Sequence, residues 1–311
     1  MSKPGKNKFG GEKMKQRLIH AVEKFLNLII LFLLSSTINA QENLTLPQQK
    51  QDSAVKAKDT SQHSLYTSIG YGNNMVYMGT SISQDKPFYF GTLTYGYNNE
   101  FYASVSTYHL SAFDPLLAFN TFSLSYNHDF NSWLDISLGI SRYQVANELT
   151  DTLFNNFFYG DLAIGFDWNI LYTNLSVGGI FSESSSAYFQ LRNSRYFQTQ
   201  RFNNGKAYFS FDPYLNMLFG TLTKTVTADG TTIGISPPFG TGRSSVGGNP
   251  SGTTTKIFSL MEIDLGLPVG FTIGKLTVEA EPGYVIPLYS ETDILNPQGF
   301  IILLNCYFRI F

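Results

Sequence analysis

The chain is poor in the residues that most enzyme chemistry depends on. It has one cysteine, Cys306, so no intramolecular disulfide can form. There are only four histidines in 311 residues. Zinc-ligand spacing, a glycine-rich phosphate loop and a nucleophile elbow are all missing. Lys and Arg form no cluster outside the first 24 residues, which argues against a nucleic-acid partner. Long apolar runs are missing too. The longest, Phe25 to Leu34, falls well short of the about 20 residues a spanning helix needs.

That short run sits in a recognisable setting. Lys3, Lys6, Lys8, Lys13, Lys15, Arg17 and Lys24 precede or open it, and Ser35 to Ala40 supply small residues after it. Residues 1–40 therefore read as a secretory signal peptide cleaved after Ala40. They hold seven of the 21 basic and two of the 23 acidic residues, so 14 and 21 remain and the exported chain is near −7. Residues 41–63 are rich in Gln, Lys, Asp and Ser, and read as a disordered periplasmic tether.

From Ser64 the composition changes to Tyr, Phe, Gly, Ser, Thr and Asn. Tyr and Phe number 46 in the whole chain. Alternation and turn residues predict strands near 64–83, 86–97, 100–112, 117–129, 132–146, 154–168, 170–183, 186–201, 205–225, 256–268, 273–288 and 297–311. Asn73-Asn74 interrupts the first as a bulge or an early turn, and Arg195 makes 186–201 an ambiguous strand. Short connections at Asn98-Asn99, Asn131-Ser132, Asn169, Asn203-Asn204-Gly205 and Val269 to Thr272 fall on one side. Longer ones at 111–117, 147–153, 227–255 and 289–296 fall on the other, together with two short ones near 84–85 and 184–185 that do not follow the asymmetry.

Three of these strands, 154–168, 205–220 and 273–288, show an apolar face most clearly, and the last strand shares it. In the last, Phe300, Ile302, Leu304, Cys306, Phe308 and Ile310 alternate with Asn305, Tyr307 and Arg309, and the chain stops at Phe311. In 205–220 the apolar face includes Phe209, Phe211, Leu215 and Met217, and the polar face Lys206, Tyr208, Ser210, Asp212, Tyr214 and Asn216. Strands of about ten residues, greasy on one side and charged on the other, suit lipid outside and a polar lumen inside. The export signal and terminal aromatic agree. The fold expected for 64–311 is all-β: an antiparallel transmembrane β-barrel of about twelve strands, with both termini periplasmic, in the outer membrane of a Gram-negative cell.

The stretch Leu65 to Leu110 carries a resemblance. Its text, LYTSIGYGNNMVYMGTSIS and then KPFYFGTLTYGYNNEFYASVSTYHL, resembles the opening of outer-membrane β-barrel proteins of the Bacteroidota type. That resemblance implies contact with outer-membrane lipid and assembly by the barrel-insertion machinery. It implies no activity, because such barrels serve many functions.

The polar faces of the late strands gather acids. A turn at Val269–Thr272 would place Glu262 opposite Glu279 and Asp264 opposite Thr277, with Glu281 one step further and Asp212 at similar height. Like charges facing one another are destabilising. Arg309, Lys275 and Lys206 share the polar face as compensating partners, and Arg192 is a further candidate. This group is either a salt-bridge network filling a narrow lumen or a cation-selective lining. The function expected is a small-solute channel with cation preference. The alternative is a closed barrel acting as a structural or partner-binding protein, with loop 227–255 meeting an external partner. A lipid-modifying enzyme ranks third: His109, Ser111 and Asp114 share one rim loop, but such spacing is common by chance. No enzyme activity, catalytic residue, cofactor or metal site is expected.

Overall fold

A computed structural model describes residues 62–77, 80–150, 152–181, 186–227, 232–236, 252–288 and 299–311. The expected signal peptide and nearly all of the tether lie outside the described residues. The rest builds twelve staves. They are β1 (His63–Gly72), β2 (Phe88–Tyr97), β3 (Phe101–Leu110), β4 (Phe119–Asp129), β5 (Leu134–Val145), β6 (Phe157–Asp167) and β7 (Tyr172–Phe181). Then follow β8 (Ser186–Ser194, continued by Phe197–Gln198) and β9 (Ala207–Phe211 and Tyr214–Thr227). Last come β10 (Gly252–Gly266 and Val269–Ile273), β11 (Leu276–Pro287) and β12 (Gly299–Arg309). Every stave is antiparallel to its neighbours, and β1 pairs β12 from Tyr66↔Arg309 to Gly72↔Leu303. The sheet therefore closes on itself, and closure leaves no edge to satisfy.

Asparagine and glycine build the turns at one end. Asn98, Asn99, Asn169, Asn203, Asn204, Gly205 and Gly274 all have positive φ, from 52° to 78°. Asn tolerates this region better than other residues bearing a side chain, so Asn pairs make tight hairpins. One expected turn is displaced. Val269–Ile273 is strand, and the chain reverses at Gly274-Lys275, with Gly274 at φ 61°. Pro268, which reads in sequence as the end of a strand, only interrupts one. The breaks at Arg195-Tyr196, Asp212-Pro213 and Leu267-Pro268 lie side by side. Arg195 N donates to Pro213 O (3.2 Å), Asp212 N to Pro268 O (3.1 Å) and Leu267 N to Pro282 O (3.0 Å). A proline offers no ladder donor, but a shared break leaves the neighbouring groups paired, so all these staves resume in register. Residues 186–201, ambiguous in sequence, are thus one stave with a break.

A second irregularity flips a face. Leu218 pairs Glu262 while Phe219 pairs Leu260, so Met261 is an extra residue in β10. Such a bulge reverses the alternation beyond it. Phe258 faces outward before the bulge, Met261 and Glu262 are both buried within it, and Asp264 stays lumenal after it.

The outward face is apolar, with Ile69, Leu93, Val105, Leu124, Leu138, Val177 and Phe300 all exposed. Both tryptophans, Trp133 and Trp168, sit at the tight-turn end, each near the ring of Phe166 (6.5 and 5.9 Å). Aromatics at that level match an interfacial girdle.

The lumen is packed at the opposite end. Lumenal Phe88, Leu110, Phe119 and Val145 are buried together with Ile82, Ala118, Leu149 and Leu153 from the connections. Met75, Phe113 and Phe154 pack around them, and Tyr108 stacks on Phe119 at 4.4 Å. A second apolar group, Phe157, Ile180, Tyr188, Leu218 and Met261, continues downward. The first strand expected over 64–83 is responsible in part. It ends at Gly72, and Val76–Tyr77 pairs Thr80–Ser81 in a small inward hairpin. Asn74 Oδ1 accepts from the Ser81 (2.6 Å) and Ser83 (3.0 Å) hydroxyls, fixing that hairpin. Asn73 stays on the wall. Its amide donates to Phe300 O (3.2 Å) and its Oδ1 accepts from Ile302 N (2.8 Å). The Asn73-Asn74 interruption is an early turn.

Candidate functional site: the acidic lower lumen

Below the apolar plug the lumenal face changes character. Arg192 on β8 projects inward, its guanidinium 3.9 Å over the ring of Tyr214 and 3.9 Å from Asp212 Oδ2. Tyr214 in turn donates from its hydroxyl to Glu281 Oε1 at 2.6 Å. The ring lies flat over Gly266 of β10, where an added Cβ would collide with it. Glycine is required there by close approach rather than by backbone angle. Asn216 Nδ2 donates to Asp264 Oδ2 at 2.8 Å. Glu279 is hydrogen-bonded by Asn305 and Tyr307. Tyrosine hydroxyls and amides thus supply the donors that buried carboxylates need.

The structure brings Asp212, Asp264 and Glu281 around Arg192, with Glu279 adjoining. Glu262, 4% exposed, sits higher with Asp264 on the wall of a cavity of about 340 Å³. The pairing expected between Glu262 and Glu279 does not occur: Glu262 opposes Pro287, Asp264 opposes Val285, and Glu279 opposes Gly270 and Asn305. The displaced turn is the reason, since it shifts the β10–β11 register.

The three expected basic partners are elsewhere. Lys275 Nζ donates to Ile310 O (2.8 Å), Arg309 Nε to Phe311 O (3.3 Å), and Lys206 is exposed in the 203–206 turn. Glu279 and Glu281 lie four and six residues beyond Lys275, about 13 and 20 Å along the strand at roughly 3.3 Å per residue. That is beyond a lysine's reach. These cations serve the rim and the chain end, and Arg192 is the one that enters the acid group.

Sequence reasoning passed over further lumenal acids on the early staves. Asp129 and Asp135 are register partners, and Asp161 and Asp167 share the lumenal face of β6. Tyr172 donates to Asp135 Oδ1 at 2.9 Å. The alternation that placed Glu279 and Glu281 inward would have placed these as well. Alternation puts Tyr214 and Asn216 on the polar face, but no sequence signal gives them Glu281 and Asp264 as partners, because that depends on which strand lies beside them.

At the rim, the His109 ring donates from Nδ1 to Leu116 O at 2.9 Å and stacks near Tyr89. Its outward parity puts it on the lipid face of β3. Glu100 and His128, 2.8 Å apart, form a pair at the tight-turn end. Among the described residues no group of three His, Cys, Asp or Glu side chains is arranged to hold a metal ion. Of the loop expected over 227–255, residues 228–231 and 237–251 lie outside the described residues; Thr232–Ser236 is a strand that pairs with the end of β9, and 252–255 belong to β10. The connection at 289–296 lies outside the described residues.

No family model matches the chain. No curated protein matches it either. Solved structures do. LpxR from Salmonella typhimurium aligns over 78% of this chain and 99% of its own, at 8% identity and a TM-score of 0.43. The NanC porin aligns over 78% and 98%, at 9% identity and 0.41. OccAB3 from Acinetobacter baumannii aligns over 78% and 59%, at 10% identity and 0.31. This chain is similar to all three in being an antiparallel barrel.

Proposed function

We propose that the chain is an exported outer-membrane β-barrel that is closed toward the loop side, and that it acts as a structural or partner-binding barrel rather than a free-diffusion pore. The observation that carries this reading is the plug. Phe88, Leu110, Phe119 and Val145 are buried across the lumen against Ile82, Leu149 and Leu153. Water and ions do not cross dry, close-packed apolar groups. The apolar outer face, the turn asymmetry and the signal-like first forty residues support residence in the outer membrane and delivery by the barrel-assembly machinery.

A second reading keeps the sequence-based expectation of a cation-preferring channel. The acid excess on the lower lumenal face favours it. Single-channel recording of the folded chain in a planar bilayer separates the two. A silent bilayer, with current appearing in Leu110→Ala/Phe119→Ala, fits the closed barrel. Steady native current overturns it. A reversal potential favouring cations, lost in Glu262→Gln/Glu279→Gln, would then establish the channel.

A further inference from the structure

Between the plug and the Arg192 group lies the 340 Å³ cavity, walled by Tyr143, Tyr159, Tyr188, Asn216, Glu262 and Asp264. We propose that it binds a small organic ammonium ion.

The wall offers acceptors. Asn216 is 6% exposed, and its amide nitrogen is spent on Asp264. That leaves Asn216 Oδ1 and Asp264 Oδ1 both buried without a donor. Buried acceptors of this kind are rare in folded proteins unless a ligand or water meets them. Two carboxylates line the space; Arg192 acts on Asp264 from below, but no lysine, arginine or histidine lines the cavity itself. An ammonium group would supply N–H donors to the two orphaned acceptors and add positive charge inside the space. Three tyrosines complete the fit. Aromatic walls beside carboxylates attract alkylated ammonium groups, whose charge interacts with the ring faces while their carbon is sheltered from water. A metal ion suits the wall poorly, since no three ligating carboxylates or histidines converge among the described residues. The bulge at Met261 is part of the construction: it turns Glu262 into the lumen beside Asp264. Val76 of the inward hairpin also lines the cavity.

Isothermal titration of the full chain, folded in detergent micelles, tests this with 3-methylbutylammonium, which carries three N–H donors, and its uncharged analogue 3-methylbutan-1-ol. The ammonium should bind at one site, and the alcohol at least about tenfold more weakly, the scale of a charge-assisted contact. Glu262→Gln and Asp264→Asn should each weaken the ammonium by roughly tenfold with heat-modifiable gel mobility unchanged. Ser176→Tyr, which fills the cavity from β7, should abolish binding whether or not the carboxylate variants fold. Equal binding of both probes, no binding of the ammonium at millimolar concentration, or ammonium binding untouched by Ser176→Tyr would each overturn the proposal.

Discussion

The two halves of this lumen are built on opposite principles. The loop-side half is apolar and sequence-local: Leu110, Phe119 and Val145 meet connections that follow or precede their own strands. The turn-side half is polar and assembled from distant strands. Arg192, Tyr214, Asp264 and Glu281 belong to β8, β9, β10 and β11, joined by donors such as Tyr214 and Asn216. Packing tolerates approximate partners, whereas a buried carboxylate needs a donor at a particular place. The upper half is therefore held by packing, and the lower half by specific donors.

That contrast can be broken, beginning with the plug. Phe119→Ala removes a fully buried ring and should cost about 3–5 kcal/mol. Urea unfolding of the folded barrel, followed by gel mobility, would measure it, and a loss below about 1 kcal/mol would mean the plug is not tightly packed. The wall gives the next effect. Leu124→Arg, on the outer face, should cost about 2–4 kcal/mol in vesicles if that face meets lipid. Near-equal stability in vesicles and in detergent would remove the lipid assignment. Gly266→Ala comes third. The Tyr214 ring must move off its seat, at about 1–3 kcal/mol, and a quenching change at Tyr214 should accompany the loss. Full stability there would show that the Arg192–Tyr214–Glu281 chain is loose. The smallest effect belongs to the rim, where Lys275→Ala should shift stability by under about 0.5 kcal/mol. A large loss would mean the turn-end cations do reach the acids.

Much of the wall was legible in the sequence. Alternation located twelve staves and the correct lumenal faces of β9, β11 and β12, because a residue's facing depends on its own strand alone. Asn-rich turns were legible for the same reason. What failed was relational. Pro268 read as a strand end because its compensating breaks, at Pro213 and Arg195, lie on other staves. That error moved the turn from Gly274 and gave Glu262 the wrong partner. Met261 carries no mark of a bulge. The candidate acids were visible as inward residues, but their cation, Arg192, stood only as a further candidate behind Arg309, Lys275 and Lys206. Arg192 sits in a segment made ambiguous by Arg195, whose side chain turns away to the Asn169 carbonyl. The connections' inward packing was equally hidden, since an apolar residue in a loop does not announce what it will touch.

Asn73 gives the closing seam a timing. The wall contacts it makes join residues 227 and 229 positions apart, whereas neighbouring staves elsewhere meet through hairpins of a few dozen residues. Contacts of such long range are entropically the slowest to form. A barrel that folds hairpin by hairpin thus remains an open sheet until its two ends find each other, and the side chain of Asn73 extends the ladder past the point where β1 has left the wall. Asn73→Ala should slow the final appearance of the compact gel band and leave the earlier rise of β-structure by circular dichroism unchanged. If both slow together, the seam is not the late step.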